Sequence, residues 1–472
     1  MSSQRILFLT GRLAKPRLEK VLASIDFGES RWTIADMNVK VAALMTDAII
    51  RRRLATPVEA DRIIIPGRCR ADLDALSRHF GAPFERGPDE LKDLPAYFGK
   101  RGAHPDLSRY DIRIFAEIVD ASATSIDGIL AKATKMKAAG ANVIDIGCLP
   151  DTPFPHLAQS VRALKSAGYL VSVDSANDGE LREGAEAGAD FLLSLNETNL
   201  DIADGAGATP ILIAAQHGDL SSLYRACDEA DRRGMAYIAD PILDPIHFGF
   251  MASLERYAAF RRERPGAEIL MGTGNLTELT DASTGGMTAM LLGICSELAI
   301  RNVLVVQVSP HTRRTIEEHD AARRMMFAAH ADASLPRDYS SGLLSLHDRD
   351  PFPNTPGEIA ELASEVRDAN FRVEAAEDGV HLFNAQGHWI GAEPFALFPH
   401  IEGALAGDAG HAFYLGVECA RAEIAAKLGK RYAQDTPLKW GVAADAAPAE
   451  DLTRFKEAGA TLHAGRRISK PK

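Results

Sequence analysis

Short apolar runs and amphipathic stretches alternate along most of this chain. In the first hundred residues, Ile6–Leu9, Trp32–Ala35 and Arg62–Ile65 read as strands, and the patterns near 14–24, 39–53 and 70–79 read as helices. Strands that take turns with helices imply βαβ units and a parallel sheet. From Asp111 to about Ala329 the alternation recurs with a steady rhythm. Apolar runs begin at Ile114, Val143, Leu170, Phe191, Pro210, Met235, Glu268 and Val303. Helical patterns between them cover Ala131–Ala139, Leu157–Ala167, Leu220–Arg233, Leu254–Arg264 and Met287–Ile300. Strands of that number and spacing predict a (β/α)8 TIM barrel. Beyond the loop-rich stretch Ser334–Pro356, a helix over Glu358–Ala369, three short strands joined at Asp378-Gly379 and Gln386-Gly387, and a helix over about Gly416–Tyr432 predict a last α/β unit. The expected class is α/β: a Rossmann-like α/β domain at 1–105, a barrel at 110–332 and a C-terminal α/β domain at 357–472.

Composition narrows the class of function. Hydrophobic residues make up 46% and charged residues 25% of the 472, ordinary values for a folded globular chain. Acidic residues outnumber basic ones, 65 to 53, for a net charge of -12, which argues against a nucleic-acid partner. The basic tail Arg466–Lys472 reads as a solvated end. No apolar run approaches the roughly 20 residues of a spanning helix, and the N-terminal run is too short for a signal-peptide core, so a cytoplasmic protein with no membrane partner is expected. The 5 cysteines are widely spaced with no C-x-x-C pair, so reduced thiols are expected and not a zinc ribbon or a disulfide framework. Gly11-Arg12 and Gly67-Arg68 follow two N-terminal strands and match no dinucleotide fingerprint.

A barrel carries its chemistry at the C-terminal ends of its strands. Those ends hold Asp120, Asp145 with Gly147, Asp174, Asn196, Asp240 with Asp244, Asn275, and Gln307 with Ser309. A single Asp or Asn there would be a helix cap, whereas a ring of them converging on one mouth points to a binding site. No G-x-S-x-G elbow occurs near the strand ends, which disfavours a serine triad, and the histidines His156, His217, His247, His311 and His319 are too scattered for a zinc site. Carboxylates and carboxamides suit a flat heterocycle with adjacent N–H and C=O groups: Asp accepts two parallel N–H bonds, and Asn offers a donor and an acceptor.

The run Ala138-Ala139-Gly140-Ala141-Asn142-Val143-Ile144-Asp145-Ile146-Gly147, then Val171-Ser172-Val173-Asp174-Ser175 and Gly188-Ala189-Asp190-Phe191, resembles strands two to four of dihydropteroate synthases. Leu243-Asp244-Pro245-Ile246-His247-Phe248-Gly249-Phe250 resembles their strand-six signature. The resemblance covers nearly half the chain. The three-part layout resembles the dihydropteroate synthase-related proteins of tetrahydromethanopterin synthesis, a branch of one-carbon metabolism. It implies that Asp174, Asn196 and Asp244 read a pterin, with Asp145 beside them. Asp120 falls near the family's strand-one Asn, which implies a catalytic role and a Mg²⁺ ligand there. The strand-seven turn Gly272-Thr273-Gly274-Asn275 lacks the family's Ser-Arg-Lys, and Gln307-Val308-Ser309 stands where the family has Arg-x-His. A substitute anion site is expected in Ser309-Pro310-His311-Thr312-Arg313-Arg314, with Gln307, Ser309, His311 and Arg313 binding substrate and Arg314 catalytic.

The resemblance implies a transferase that joins a dihydropterin methyl diphosphate to an arylamine, which in the methanopterin branch would be ribofuranosylaminobenzene phosphate. Pterin and arylamine would be its small-molecule partners, and a homodimer is expected. The Gly-Thr-Gly-Asn turn is similar to methyltetrahydropterin:corrinoid methyltransferases, so methyl transfer is a second reading, and a non-catalytic pterin-binding scaffold protein is a third. Only the synthase needs a diphosphate site.

Overall fold

The computed structural model describes residues 4–88, 91–99, 105–402 and 407–445, so the tail from Arg466 lies outside them. At the N-terminus, Arg5–Thr10, Arg31–Asp36 and Arg62–Ile65 form a parallel sheet with a fourth strand, Phe84–Arg86, in the order second, first, third, fourth. The fourth strand is only 3 residues long, too short to show as an apolar run. The helical pattern near 39–53 divides into a 3₁₀ turn, Ala42–Leu44, and a helix, Asp47–Arg53. The break falls at Thr46, an extended residue whose hydroxyl accepts the Ile49 N–H and so starts the helix.

Eight parallel strands then close into a barrel: Arg113–Ile118, Val143–Gly147, Leu170–Asp174, Phe191–Leu195, Thr209–Leu212, Ile238–Ala239, Glu268–Gly272 and Asn302–Val305. Successive residues of a strand face opposite sides, so one set from each strand fills the interior. Phe115, Val143, Phe191, Leu193, Ile211, Ile238 and Leu270 make this packed floor. Below it, Asn302 accepts from Arg113 at 2.8 Å and donates to Glu268 at 3.1 Å, tying the first, seventh and eighth strands. Among the described residues a full helix follows every strand except the fourth, where the 3₁₀ turn Leu200–Ala203 makes the connection.

The sixth strand is shorter than its apolar pattern suggests. Gly234 ends the preceding helix in the left-handed region, and the Met235 N–H is drawn back to the Ala230 carbonyl at 2.9 Å, so pairing begins only at Ile238.

The chain separates into two compact units. The first, Met1–Thr280, Met290–Val306 and His319–Ser340, holds the N-terminal sheet and all eight barrel strands. The second, Asp281–Ala289, Gln307–Glu318 and Ser341–Lys472, holds an antiparallel sheet of Arg372–Ala376, Gly379–Asn384 and Gly387–Gly391. The turn at Asp378-Gly379 needs Gly, with φ at +130°. A helix over Ala409–Leu428 covers this sheet through Leu415 and Cys419. It begins earlier than its pattern suggests, because Asp408 accepts the His411 N–H at 3.0 Å and caps it there. No described helix is long and apolar enough to cross a membrane. All five cysteines are free, and four of them are buried.

Candidate active site

The alternation that buries the barrel floor also decides what lies above it. Phe115 and Val143 face inward, so Glu117 and Asp145, two residues further on and paired in register, face inward too. Asp145 pairs with Ser172 and Gly147 with Asp174, which brings Asp174 to the same interior one step nearer the C-terminal end. Glu117, Asp145 and Asp174 each place a carboxylate oxygen within 4.8 Å of the others. Gly147 makes this possible, since a β-carbon there would stand 2.5 Å from Oε1 of Glu117.

Their electrostatics follow from this crowding. Asp145 is fully buried, and both of its carboxylate oxygens lack a hydrogen-bond partner among the described residues. Burial pushes Asp145 up to about 6. Burial, then the charge of Asp145, pushes Glu117 up to about 8. Asp174 is raised well above the usual carboxylate range by burial and then by Asp145 and Glu117, against a bond from the Ser194 hydroxyl at 3.3 Å. Three carboxylates this close cannot all ionise without a counter-charge, so the cluster holds protons or a cation.

Two more acids follow the sixth strand in different surroundings. Asp240 follows the strand Ile238–Ala239, accepts from the Tyr257 hydroxyl at 2.7 Å and the Ile242 N–H at 2.8 Å, and contributes to raising Asp174. Burial pushes it up to about 6. Asp244 is held by Arg256 at 2.7 Å and His217 at 2.9 Å, with Gly249 packed against its carboxylate at φ +120°.

The other strand-end residues have local partners. Asn196 turns its side-chain oxygen to the backbone N–H and hydroxyl of Thr198. Asn275 donates to the Leu243 carbonyl at 2.7 Å, linking the sixth and seventh strand ends. Asp120 lies past the first strand and pairs with Lys132 at 2.6 Å, which holds its carboxyl below the usual range.

The loop after the eighth strand belongs to the second unit. There Gln307 donates to the Arg313 carbonyl at 3.3 Å, and the Ser309 carbonyl accepts the Thr312 N–H at 3.0 Å. His311 and Arg313 are exposed. Arg314 pairs with Glu317 at 3.0 Å and Asp445 at 2.9 Å and donates to the Val442 carbonyl at 2.9 Å. His311, Arg313 and Arg314 line a cavity of about 400 Å³ together with Thr284 and Glu318, and Gln307 and Ser309 are not part of its lining.

Glu117 escaped the reading by strand ends because it sits inside its strand, but its parity with Phe115 was a usable signal. Arg256 and Tyr257 carry no such signal. They reach the sixth strand's acids from a helix, Phe250–Glu263, and only packing aligns them.

A family model described as a family of unknown function, DUF6513, matches residues 4–89. An uncharacterised protein of Methanocaldococcus jannaschii is 25% identical over 525 residues, which span 92% of this chain and 99% of that protein. Among solved structures, the dihydropteroate synthase of Yersinia pestis with a pterine-sulfa conjugate is 19% identical, with a TM-score of 0.37, and covers 48% of this chain and 95% of that one. The 7,8-dihydropteroate synthase of Vibrio fischeri is 18% identical, with a TM-score of 0.38 over 48% and 95% of the two chains. The dihydropteroate synthase of Thermus thermophilus in complex with 4-aminobenzoate is 21% identical, with a TM-score of 0.34 over 47% and 95%.

Proposed function

We propose that this chain is a pterin-binding transferase of dihydropteroate synthase type, which joins a dihydropterin methyl diphosphate to an arylamine. Ribofuranosylaminobenzene phosphate is the amine if the product is a tetrahydromethanopterin precursor. The observation that carries this reading is the cluster of inward-facing acids Glu117, Asp145 and Asp174 above the barrel floor, with Asp240 near enough to raise Asp174 further. A pterin edge presents N–H donors beside ring-nitrogen and carbonyl acceptors. A carboxyl that keeps its proton donates and one that has lost it accepts, so a crowded cluster that retains protons can match both kinds of group. The motif run from Ala138 to Phe191 supports the same reading.

The reaction asks little covalent chemistry of the protein. The arylamine nitrogen forms a bond to the pterin methylene, the C–O bond breaks, and its electron pair leaves with the diphosphate. The amine's surplus proton passes to a base or to water. Positioning and stabilisation of the departing charge supply the catalysis. Mg²⁺ fits the residues present: the donors are all carboxylate oxygens, as a hard cation prefers, and the partnerless oxygens of buried Asp145 need a counter-charge. Glu117, Asp145 and Asp174 would hold the ion in place of the protons they otherwise carry, so an ion and a pterin edge are alternative occupants of these oxygens, and Asp120 is the separate candidate for an ion beside a bound diphosphate. Such an ion would neutralise charge developing on the diphosphate. In the second unit, the exposed guanidinium of Arg313 and ring of His311 are the candidates for an anion contact there, and Arg314 supports that loop through its ion pairs.

The test is to titrate the purified protein with the dihydropterin alcohol by calorimetry, and separately to assay condensation of the pterin diphosphate with 4-aminobenzoate and with ribofuranosylaminobenzene phosphate. Asp174→Asn should weaken pterin binding by about 1–3 kcal/mol, as expected when one buried hydrogen-bonding partner is altered. Pterin binding without condensation would move the assignment to methyl transfer or scaffolding. Absence of pterin binding would overturn it.

A further inference from the structure

We propose that Asp240, rather than Asp244, is the acid after the sixth strand that reads the ligand's N–H groups, and that Asp244 is the brace that holds it in place. The proposal rests on the pterin reading and names the side chain of that site that recognises the exocyclic amino group. Both acids lie in Asp240-Pro241-Ile242-Leu243-Asp244-Pro245, so their place in the sequence does not separate them. Their hydrogen bonds do. Both oxygens of buried Asp244 are engaged: Oδ2 accepts from Nη2 of Arg256 at 2.7 Å, and Oδ1 lies 2.9 Å from Nε2 of His217. Its backbone N–H donates to the Ser253 hydroxyl at 3.2 Å. A β-carbon at Gly249 would stand 2.8 Å from Oδ2, so this carboxylate is closely packed as well as bonded. A buried acid with a full set of partners has a structural part to play.

Asp240 is bonded on one side only. Its Oδ1 accepts both the Tyr257 hydroxyl and the Ile242 N–H, whereas its Oδ2 receives no hydrogen bond from a described residue and, unlike the oxygens of Asp145, is not sealed off. Donors on Oδ1 favour the ionised, accepting form and fix the carboxylate plane, which leaves Oδ2 as an acceptor for a ligand N–H. The strand ladder places it beside the acid cluster. The Asp240 N–H donates to the Leu212 carbonyl at 2.8 Å, one residue beyond the paired strand, and the charge of Asp240 is among those that raise Asp174. Asp244 acts on Asp240 through Arg256. The same guanidinium donates from Nε to the Pro241 carbonyl at 3.1 Å and from Nη2 to the Ile242 carbonyl at 2.8 Å. Ile242 is a β-branched residue at φ +64°, a left-handed conformation that persists only where its surroundings hold it. In that conformation its N–H meets Asp240. Arg256 and Tyr257, neighbours on the helix Phe250–Glu263, are therefore positioning residues.

The full-length protein would be titrated by calorimetry with hydroxymethylpterin and with hydroxymethyllumazine, the analogue that carries a carbonyl in place of the exocyclic amino group. The wild-type protein should prefer the pterin. Asp240→Asn, which can offer an amide N–H at that position, should weaken the pterin about tenfold and bring the two ligands to within about twofold of each other. Its Tm should not fall, because a buried acid has been neutralised. Asp244→Asn should lower the Tm and keep the wild-type ratio of the two affinities. Tyr257→Phe should weaken the pterin in the wild-type background and have no further effect in Asp240→Asn, a coupling that a purely structural tyrosine would not give. This pair of variants decides the matter even if Asp244→Asn does not fold. Three results would overturn the assignment alone: equal binding of both ligands by the wild type, a preference for pterin that survives Asp240→Asn, or a preference lost in Asp244→Asn instead. No pterin binding by the wild type would overturn it together with the reading on which it rests.

Discussion

Glu117 shows how much a single position can bias the whole molecule. Its carboxyl titrates near 4.5 when the chain is unfolded and at about 8 when it is folded. Between those values the native state binds the proton that the unfolded state has released, so stability falls as pH rises through this window. Asp145, at about 6, steepens the lower part of the fall. Denaturant melts of the wild-type protein between pH 5 and 9 should show this decline, and Glu117→Gln should flatten it. If the cluster takes a divalent cation, Mg²⁺ at pH 8 should raise the wild-type Tm and leave Asp145→Asn unchanged, because a ligand bound only by the native state stabilises it. Asp145 was identifiable from sequence by its place in Ile144-Asp145-Ile146-Gly147. Its lack of hydrogen-bond partners was not, because that depends on what three neighbouring strands present to it.

At the level of elements, the strands were the most readable part, since an apolar run between turn signals is a local pattern. Their ends were less so. The sixth strand lost residues to the cap of the preceding helix, and the helix near 39–53 broke at Thr46, because backbone groups chose partners that periodicity does not reveal. Gly147 belongs to this scale. It reads as an ordinary strand-end glycine, yet the second strand can carry no β-carbon there without displacing the Glu117 carboxylate from its neighbours. Gly147→Ala should leave the far-UV spectrum intact and cost about 1–3 kcal/mol through overpacking. It should also erase most of the pH dependence that Glu117 confers, and a melt series at two pH values would check both effects. A variant with unchanged pH dependence would show that Glu117 does not depend on the gap.

Across the first unit, one buried cation ties the last barrel helix to the segments that lead into the first two strands. Arg323, on the last barrel helix, is 1% exposed. It donates to the Ile112 carbonyl at 2.7 Å, the Gly140 carbonyl at 2.9 Å and the Asn142 side chain at 2.5 Å, while Asp320 balances its charge at 2.6 Å. Asp320 keeps Arg324 at 2.8 Å when Arg323 is removed, but several buried acceptors lose their donor, so Arg323→Met should lower stability by about 1–3 kcal/mol in a chemical melt. An unchanged midpoint would mean that the barrel closes without this tie. By itself the sequence determined the order of strands and helices, the eightfold repeat that makes a barrel, and the kinds of acid gathered at the strand ends, because periodicity and turn chemistry are properties of neighbouring residues. Tertiary structure alone decided which acids face one another and which are neutralised. Asp244 and Asp240 are four positions apart, yet one is held by Arg256 and His217 and the other by the Tyr257 hydroxyl and the Ile242 N–H, because charge and burial depend on groups far along the chain that only folding brings within a few ångströms.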